Sequence, residues 1–505
     1  MKTSKFHTKK TQLKDFSIQN DLNLNLENIK KQFKNSKDLI IKHFNIGSHK
    51  ASLIYLMGLN DSLLINNNIM HSFENLQPDY QITTVKNLLE NKILLAESST
   101  TKSMEECVFE ILRGKAALLI NNFNECGIFG VDKQKERAIQ EPPTSAVLKG
   151  PRSGFTENIK TNIACIRKII ASTDLIFEHF KVGKYTQTQV SIFYISSIAN
   201  KKVVNEVKKR IKKINIDGIL DSFYVSQFLE FYPNSIFKQV GNCEKADIAC
   251  SKILEGRVGI LVDGSPIALT LPFLLLEDIQ TSNDYYSQHS RATALRLIRI
   301  FSLIITLLLP GMYIAIELHH YKIIPLKFIV TIMNTTQQLP LSPFVEIIFV
   351  LLLFEVLYEA SLRMPKYLGL ALSIVGALIL GDTATKAGLV SPPAVMIVAL
   401  SGITLYTLPD LAPQLSMIRF AYTIAGGAMG FYGILSLTLF LLFHLNDFDS
   451  YNTAYLAPFS PQHKSDLKDA LFKKDLTNMF SRPTSLRNKN KTRLKTKSND
   501  FNNNH

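Results

Sequence analysis

Apolar and polar positions divide the chain near residue 290. Upstream, short β-branched or apolar runs such as Ala51-Ser52-Leu53-Ile54-Tyr55-Leu56 alternate with helical patterns such as Asn200 to Lys213. That alternation predicts a soluble α/β region. Downstream of Arg291 the chain turns strongly apolar: residues 300–316, 367–381, 387–409 and 420–446 carry no charge. A membrane span needs about 20 mostly apolar residues. Spans are expected near 296–318, 343–363, 367–386, 390–409 and 413–443. The last is long enough to break at Gly426-Gly427, while 321–342, with Pro325 and Thr335-Thr336-Gln337-Gln338, is too polar to cross.

Two passages of the α/β region echo each other. Lys42-His43-Phe44-Asn45-Ile46-Gly47 is matched by Glu178-His179-Phe180-Lys181-Val182-Gly183, at an offset of 136. Ile111-Leu112-Arg113-Gly114-Lys115 and the apolar run after it are matched by Ile253-Leu254-Glu255-Gly256-Arg257, at an offset of 142. Near-equal offsets predict two copies of one unit, each with a helix, a Gly turn and a buried strand. Between them Glu141-Pro142-Pro143 and Gly150-Pro151-Arg152-Ser153-Gly154-Phe155 forbid regular structure. Thr156 is placed to cap a following helix. Arg152 reads either as part of a plain connector or as an ion-pair anchor to a neighbouring subunit.

Composition sharpens this division. The 505 residues carry a net charge of +15 with 46% hydrophobic residues, and the mean hydropathy is +0.09. Residues 1–50 hold 11 Lys against 4 acids, and 462–505 hold 11 Lys or Arg against 4 acids. The excess charge therefore lies in Asn/Lys-rich ends, expected to be solvated and partly disordered, and not on a folded face with stacking aromatics. No nucleic-acid role follows. Cys107, Cys126, Cys165, Cys243 and Cys250 form no C-x-x-C pair or metal-spaced cluster. No signal peptide is expected. The predicted order is a basic disordered tail (1–34), a first cytosolic α/β subdomain (35–140), a linker (141–160), and a second subdomain (161–290). An α-helical polytopic membrane domain (291–445) and a cytosolic basic tail (446–505) follow. Both basic ends favour the cytoplasmic side, which requires an even number of crossings. Five spans conflict with that unless one is re-entrant or the last is a hairpin.

No Walker loop, dinucleotide fingerprint, nucleophile elbow or zinc helix motif occurs, so no catalytic residue, cofactor or metal is assigned. Ser265 lies in the turn Val262-Asp263-Gly264-Ser265-Pro266 with no base apparent. His319-His320 beside Glu317 reads as an interfacial polar cluster, with a metal site the weaker reading. The informative residues are charges within apolar segments. Glu355, Glu359 and Arg363 recur at i, i+4 and i+8 and share one helix face. Glu346 points to roughly the opposite face, and Asp382 with Lys386 makes a second i, i+4 pair. These six residues either fasten helices and subunits together or border a hydrated, cation-favouring pathway. Gly369, Ala371, Gly376, Ala377 and Gly381 permit close helix approach under either reading.

The chain resembles the A subunits of spore-germination nutrient receptors, the GerA family, from about residue 35 to 483. The resemblance rests on Gly150-Pro151-Arg152-Ser153-Gly154-Phe155-Thr156-Glu157 with Thr161-Asn162-Ile163-Ala164, and on Leu254-Glu255-Gly256-Arg257-Val258 with Val262-Asp263-Gly264-Ser265-Pro266. It continues through Asp284-Tyr285-Tyr286, Phe354-Glu355-Val356-Leu357-Tyr358-Glu359-Ala360 with Arg363 and Pro365, Val390-Ser391-Pro392, Tyr455-Leu456-Ala457-Pro458-Phe459 and Arg482-Pro483. Tyr358 stands where the family usually has Arg. Thr335-Thr336 replaces a basic residue before Leu339-Pro340, and Asn242 to Asp247 replaces an acidic, Pro-containing turn. These departures bear on gating or nutrient specificity, not on membership.

The resemblance implies a multi-pass subunit of the spore inner membrane, both termini cytoplasmic, acting with a transporter-like B subunit and a lipoprotein C subunit. It further implies homo-oligomerisation into a ligand-gated cation channel that triggers germination. A non-conducting scaffold and a secondary transporter are the alternatives; a transporter predicts inverted repeats in the helical half, where none is evident.

Overall fold

The computed structural model describes residues 17–74, 76, 82–92, 97–131, 150–336, 339–363 and 381–494. Most of the expected 367–386 span and the first part of the 141–160 linker lie outside them. The described residues form two compact units. One comprises parts of 1–233, 239–273 and 481–495, and the other parts of 234–238 and 274–480.

The first unit contains two five-stranded sheets of identical topology. Strands β1 (Leu39–Ile46), β2 (His49–Leu56), β3 (Ser98–Thr101), β4 (Ala116–Ile120) and β5 (Cys126–Phe129) lie in the order β1-β2-β4-β5-β3. Strands β6 (Leu175–Val182), β7 (Thr188–Ile195), β8 (Gly241–Cys243), β9 (Val258–Val262) and β10 (Ala268–Leu271) lie in the order β6-β7-β9-β10-β8. Every pairing is antiparallel. The repeat read from the sequence is thus a repeat of the fold. The first hairpin turns directly from Ile46 to His49 through Gly47, whose φ is +56°, whereas the second needs the longer loop from Val182 to Thr188. That difference supplies part of the drift between the two sequence offsets.

Helices α3 (Met104–Leu112) and α7 (Ala246–Leu254) occupy matching positions, each followed by a glycine at positive φ, Gly114 at +95° and Gly256 at +104°. A left-handed residue there lets the chain leave the helix and enter the fully buried strand β4 or β9 at once. A smaller mark of duplication is a His–Ser pair across the first hairpin of each copy. His43 Nδ1 lies 2.8 Å from Ser52 Oγ and His179 Nδ1 2.9 Å from Ser191 Oγ.

Helix α1 (Leu22–Gln32) lies inside the segment whose composition reads as a disordered tail. Asp21 caps it, and Leu22, Leu26 and Ile29, spaced i, i+4 and i+7, are buried in the first core. Three apolar positions on one face outweigh the lysines on the other. Helix α4 (Ile159–Ile169) opens the second copy, and Asn158, not Thr156, caps it by accepting from Lys160 and Thr161 N–H.

The two copies are locked through a buried ion pair. Arg167 of α4 and Asp38 are wholly buried, with Nε to Oδ2 at 2.7 Å and Nη2 to Oδ1 at 3.0 Å. The guanidinium also donates to the carbonyls of Ser172 and Leu175, and Lys37 N–H donates to Phe177 O. With its donors satisfied, the charge is tolerated in a dry interface. Residues 481–494 return to this unit. Arg482 Nε donates to Leu254 O at 2.9 Å, Lys489 N–H to Ile198 O at 3.0 Å, and the Asn488 amide sits against Gly256 and donates to Glu255 O. The C-terminal stretch expected to be solvated is in this part an ordered strap.

The second unit is helical. Helices α8 (His289–His319), α9 (Leu326–Thr336), α10 (Pro343–Arg363) and α11 (Pro392–Leu405) are followed by α12 (Ala412–Asp447). Two of these, α8 and α12 with its short lead-in, are long and apolar enough to cross a membrane. Helix α12 is folded on itself. Gly430 breaks it with φ +60° and ψ −140°, and the hydroxyls of Tyr422 and Thr438 meet at 2.9 Å. In a straight helix those residues would be about 24 Å apart. The element is therefore a hairpin of two arms, 412–429 and 431–447. The sequence points to a break at Gly426-Gly427, but these glycines serve a different purpose. A Cβ on Gly426 would come within 2.3 Å of Gly311 O on α8, and one on Gly427 within 2.3 Å of the Phe344 ring. They allow close helix crossing, as small residues do in membrane bundles.

Candidate functional site

The six charges singled out in the helical unit divide into an inner set and an outer set. Glu346, in the first turn of α10, is 1% exposed and accepts Ser391 N–H at 2.5 Å. Ser391 is the cap of α11, its Oγ accepting Ala394 N–H, with Pro392 and Pro393 following. A buried carboxylate thus sits on the positive end of a helix dipole and joins the starts of α10 and α11.

Glu355 also has an inward partner, which the i, i+4 pattern does not reveal. Arg419 of α12, 2% exposed, reaches it from Nη2 at 3.3 Å and donates from Nη1 to Ser401 Oγ at 3.3 Å. Ser401 Oγ in turn donates to Thr306 O at 3.0 Å, and the Thr306 and Thr404 hydroxyls pair at 2.9 Å. Helices α8, α10, α11 and α12 therefore meet at one polar junction. Arg419 is the sole charged residue between 413 and 443, which was the signal available in the sequence.

The outer set consists of local pairs. Arg363 Nη2 is 2.5 Å from Glu359, and Lys386 Nζ is 2.6 Å from Asp382, with all four side chains more than half exposed in the single chain. Apolar neighbours on the same surface include Leu352 and Val356. The predicted stripe is thus split: Glu355 turns into the bundle, and Glu359 and Arg363 turn away from it. His319 Nε2 donates to Gly427 O at 2.9 Å and His320 packs edge-on to Phe431 at 4.6 Å, so the histidine pair braces the hairpin. Among the described residues no three side chains converge in a metal-binding group.

A denser cluster lies where α8 begins. Asp284, fully buried, accepts from Arg296 Nε at 3.1 Å and from Arg299 Nη1 and Nη2 at 2.8 and 2.9 Å. Arg296 Nη1 also binds Asp469 Oδ1 at 3.0 Å and Ala470 O at 2.8 Å, and Lys473 Nζ donates to Asp284 O at 2.6 Å. Burial alone would raise the Asp284 carboxyl, but the hydrogen bonds and charge of Arg299, then the Thr281 amide and Arg296, hold it below the usual carboxylate range. Asp284 appears in the sequence only as part of a motif; Thr281 makes a local capping box with it, but its charged partners are more than ten residues away and give no local pattern.

In the first unit, Pro151 and Arg152 are exposed, whereas Gly154 bridges to Lys245 and Phe155 is buried in the second core, its N–H donating to Glu244 O at 2.7 Å. Ser265 is buried and donates to Asp221 Oδ1 at 2.5 Å, and Asp221 caps helix α6 (Ser222–Leu229). That hydroxyl serves a helix cap.

A family model described as Bacillus/Clostridium GerA spore germination protein matches residues 27–485. The chain belongs to the GerA family. Spore germination protein KA of Bacillus subtilis (strain 168) is 34% identical, over 93% of this chain and 87% of that one. Spore germination protein B1 of the same organism is 32% identical, over 92% and 97%. The uncharacterized membrane protein YfkQ, also from that organism, is 32% identical over 93% and 92%. The crystal structure of the N-terminal domain of the A subunit of the Bacillus megaterium spore germinant receptor GerK3 aligns with a TM-score of 0.41 and 31% identity, covering 51% of this chain and 96% of that chain. The GerA match takes in both α/β copies, the polar junction at Arg419 and the Asp284 cluster.

Proposed function

We propose that this GerA-family chain is a nutrient-receptor subunit of the spore inner membrane that assembles with copies of itself into a ligand-gated cation channel. Its partners are a transporter-like B subunit and a lipoprotein C subunit. The observation that carries the reading is the outer set of charges. An ionised group within a bilayer costs about 2.5–3.5 kcal/mol on insertion scales and faces protein or water. Glu359, Arg363, Asp382 and Lys386 lie open on a single chain among apolar side chains. Neighbouring copies enclosing a hydrated path would cover them. Ion selectivity would then follow from the acidic members.

With α12 folded into two arms, the five spans expected from the sequence become six crossings. An even count keeps both basic ends on the cytoplasmic side. A second reading, a non-conducting scaffold, draws on Glu346 and Glu355, both satisfied inside the chain by Ser391 and Arg419. Reconstitution of A, B and C subunits in liposomes decides between them. The channel reading expects nutrient-triggered potassium release, weakened by Glu359→Gln while the complex still assembles. Full assembly with no release in any condition leaves the scaffold.

A further inference from the structure

Helix α6 carries its apolar residues on two faces. Ser222, Val225, Ser226 and Leu229, spaced i, i+3, i+4 and i+7, are buried against the second α/β copy. The opposite face presents Phe223 (58% exposed), Tyr224 and Phe228, flanked by Leu220 (68% exposed), Phe231 and Tyr232. No charged residue occurs between Ser222 and Leu229. A surface helix of a soluble domain would carry charges there. A contiguous exposed aromatic patch instead marks a contact with protein or lipid.

The surroundings favour lipid. Helix α5 (Lys201–Lys213) packs on α6 and carries exposed Lys209, Lys212 and Lys213 near its C-terminal end. Arg210 stacks over the Phe231 ring at 3.7 Å and donates to Glu230 O at 2.9 Å, fixing the end of the patch. Aromatic rings flanked by lysines suit the headgroup boundary of an anionic leaflet, where rings bury their faces and ammonium groups meet phosphates.

We propose that the aromatic face of α6 docks on the anionic lipid surface of the membrane that the helical unit crosses. The proposal rests on the membrane reading given above. The chain contains no tryptophan, so Phe223→Trp and Phe440→Trp, made separately, each introduce one reporter. Phe440 lies exposed on the second hairpin arm and reports on membrane insertion itself. Each variant is reconstituted in phosphatidylglycerol-rich vesicles with or without brominated lipid and titrated with aqueous iodide. The Phe223→Trp emission should fall by about half with brominated lipid and resist iodide, as for a ring in the interface. Quenching should weaken when Lys209, Lys212 and Lys213 are all changed to Gln. An unquenched Phe440→Trp removes the membrane reading. Lipid quenching of Phe440→Trp with iodide quenching of Phe223→Trp overturns the docking alone. Protection of Phe223→Trp from both quenchers also overturns it, by showing that a second copy or another protein covers the face.

Discussion

Asp284 has no exposure, and three cationic groups converge on it from α8 and from the segment around Lys473. Removing its charge leaves Arg296 and Arg299 buried with less compensation, the arrangement in which breaking a buried pair costs about 3–5 kcal/mol. Asp284→Asn is therefore expected to lower the thermal midpoint of the purified subunit by several degrees. An unchanged midpoint would show the cluster to be hydrated and weak. The pH dependence has a definite sign. The folded carboxyl is held below its unfolded value, so its contribution is complete above roughly pH 4 and is lost as pH falls through the depressed folded value. Titration from pH 7 to pH 5 should leave this contribution intact. The Arg419–Glu355 pair is asymmetric: the guanidinium is 2% exposed and the carboxylate 37%. Arg419→Met leaves a carboxylate that can reach water, whereas Glu355→Gln leaves a buried cation with only neutral acceptors. Glu355→Gln should therefore destabilise the detergent-purified chain more than Arg419→Met, by about 1–3 kcal/mol. Equal losses would count against this account. Only half of this junction is legible in the sequence. Glu355 stands out through its i, i+4 neighbours, but its partner is 64 residues away on another element, and helical periodicity does not encode that pairing.

At the scale of elements, the hairpin in α12 is the least readable feature and the one with the largest topological consequence. Gly426, Gly427, Gly430 and Gly433 are equivalent as sequence signals, and hydropathy is continuous across all of them. Long-range packing separates their roles. Gly426 and Gly427 admit α8 and Phe344, Gly433 fits against Ala425 O, and Gly430 alone turns the chain, beside the His319 and His320 rings. A side chain at Gly430 meets a backbone at φ +60° and ψ −140°, a region nearly reserved for glycine and worth about 1–3 kcal/mol, and then the two imidazoles. The fold-back has a direct test. Tyr422→Cys with Thr438→Cys should be joined by a short bifunctional thiol crosslinker, seen as the mass gain of one linker and a faster band, because the tyrosine ring spans a gap too wide for a direct disulfide. The five native cysteines are buried and all belong to the α/β unit. A straight helix gives no crosslink. The α/β elements were easier to read. The Gly47, Gly114, Gly183 and Gly256 turns punctuate runs of β-branched residues, and each follows or precedes a strand in the structure. Edge strands β3 and β8 were not legible, because four residues or fewer carry no alternation to recognise.

For the whole molecule, the chain order matters as much as the packing. It leaves the α/β unit after Phe273, runs through the helical unit to Phe480, and returns as a strap against the second α/β copy. Composition presents residues 481–494 as a solvated basic tail because their attachments are to backbone carbonyls, and no residue pattern records a carbonyl as a partner. Two of those attachments meet at the Leu254-Glu255-Gly256 exit of α7, where the helix leaves carbonyls without an internal donor, and Lys489 holds Ser196 O and Ile198 O just after β7. Gly256 is required twice there. Its φ of +104° turns the chain into β9, and its missing Cβ leaves room for Asn488. The first copy has the same turn at Gly114, and there the carbonyl receives Asn60 Nδ2 at 2.5 Å, from within the copy itself. At the second copy's exit the chain that emerges from the helical unit instead supplies donors to the two preceding carbonyls, Leu254 O and Glu255 O. Truncation after Phe480 isolates that asymmetry. Four attachments, to Leu254 O, Glu255 O, Ile198 O and Ser196 O, at about 0.5–1.5 kcal/mol each predict a loss of roughly 2–6 kcal/mol of local stability. Hydrogen exchange on the full-length and truncated proteins should show faster exchange at α7 and β9 and unchanged exchange at α3 and β4. Equal acceleration in both copies would mean that the strap supports the unit as a whole, and no acceleration would mean that it rests on the surface without holding it.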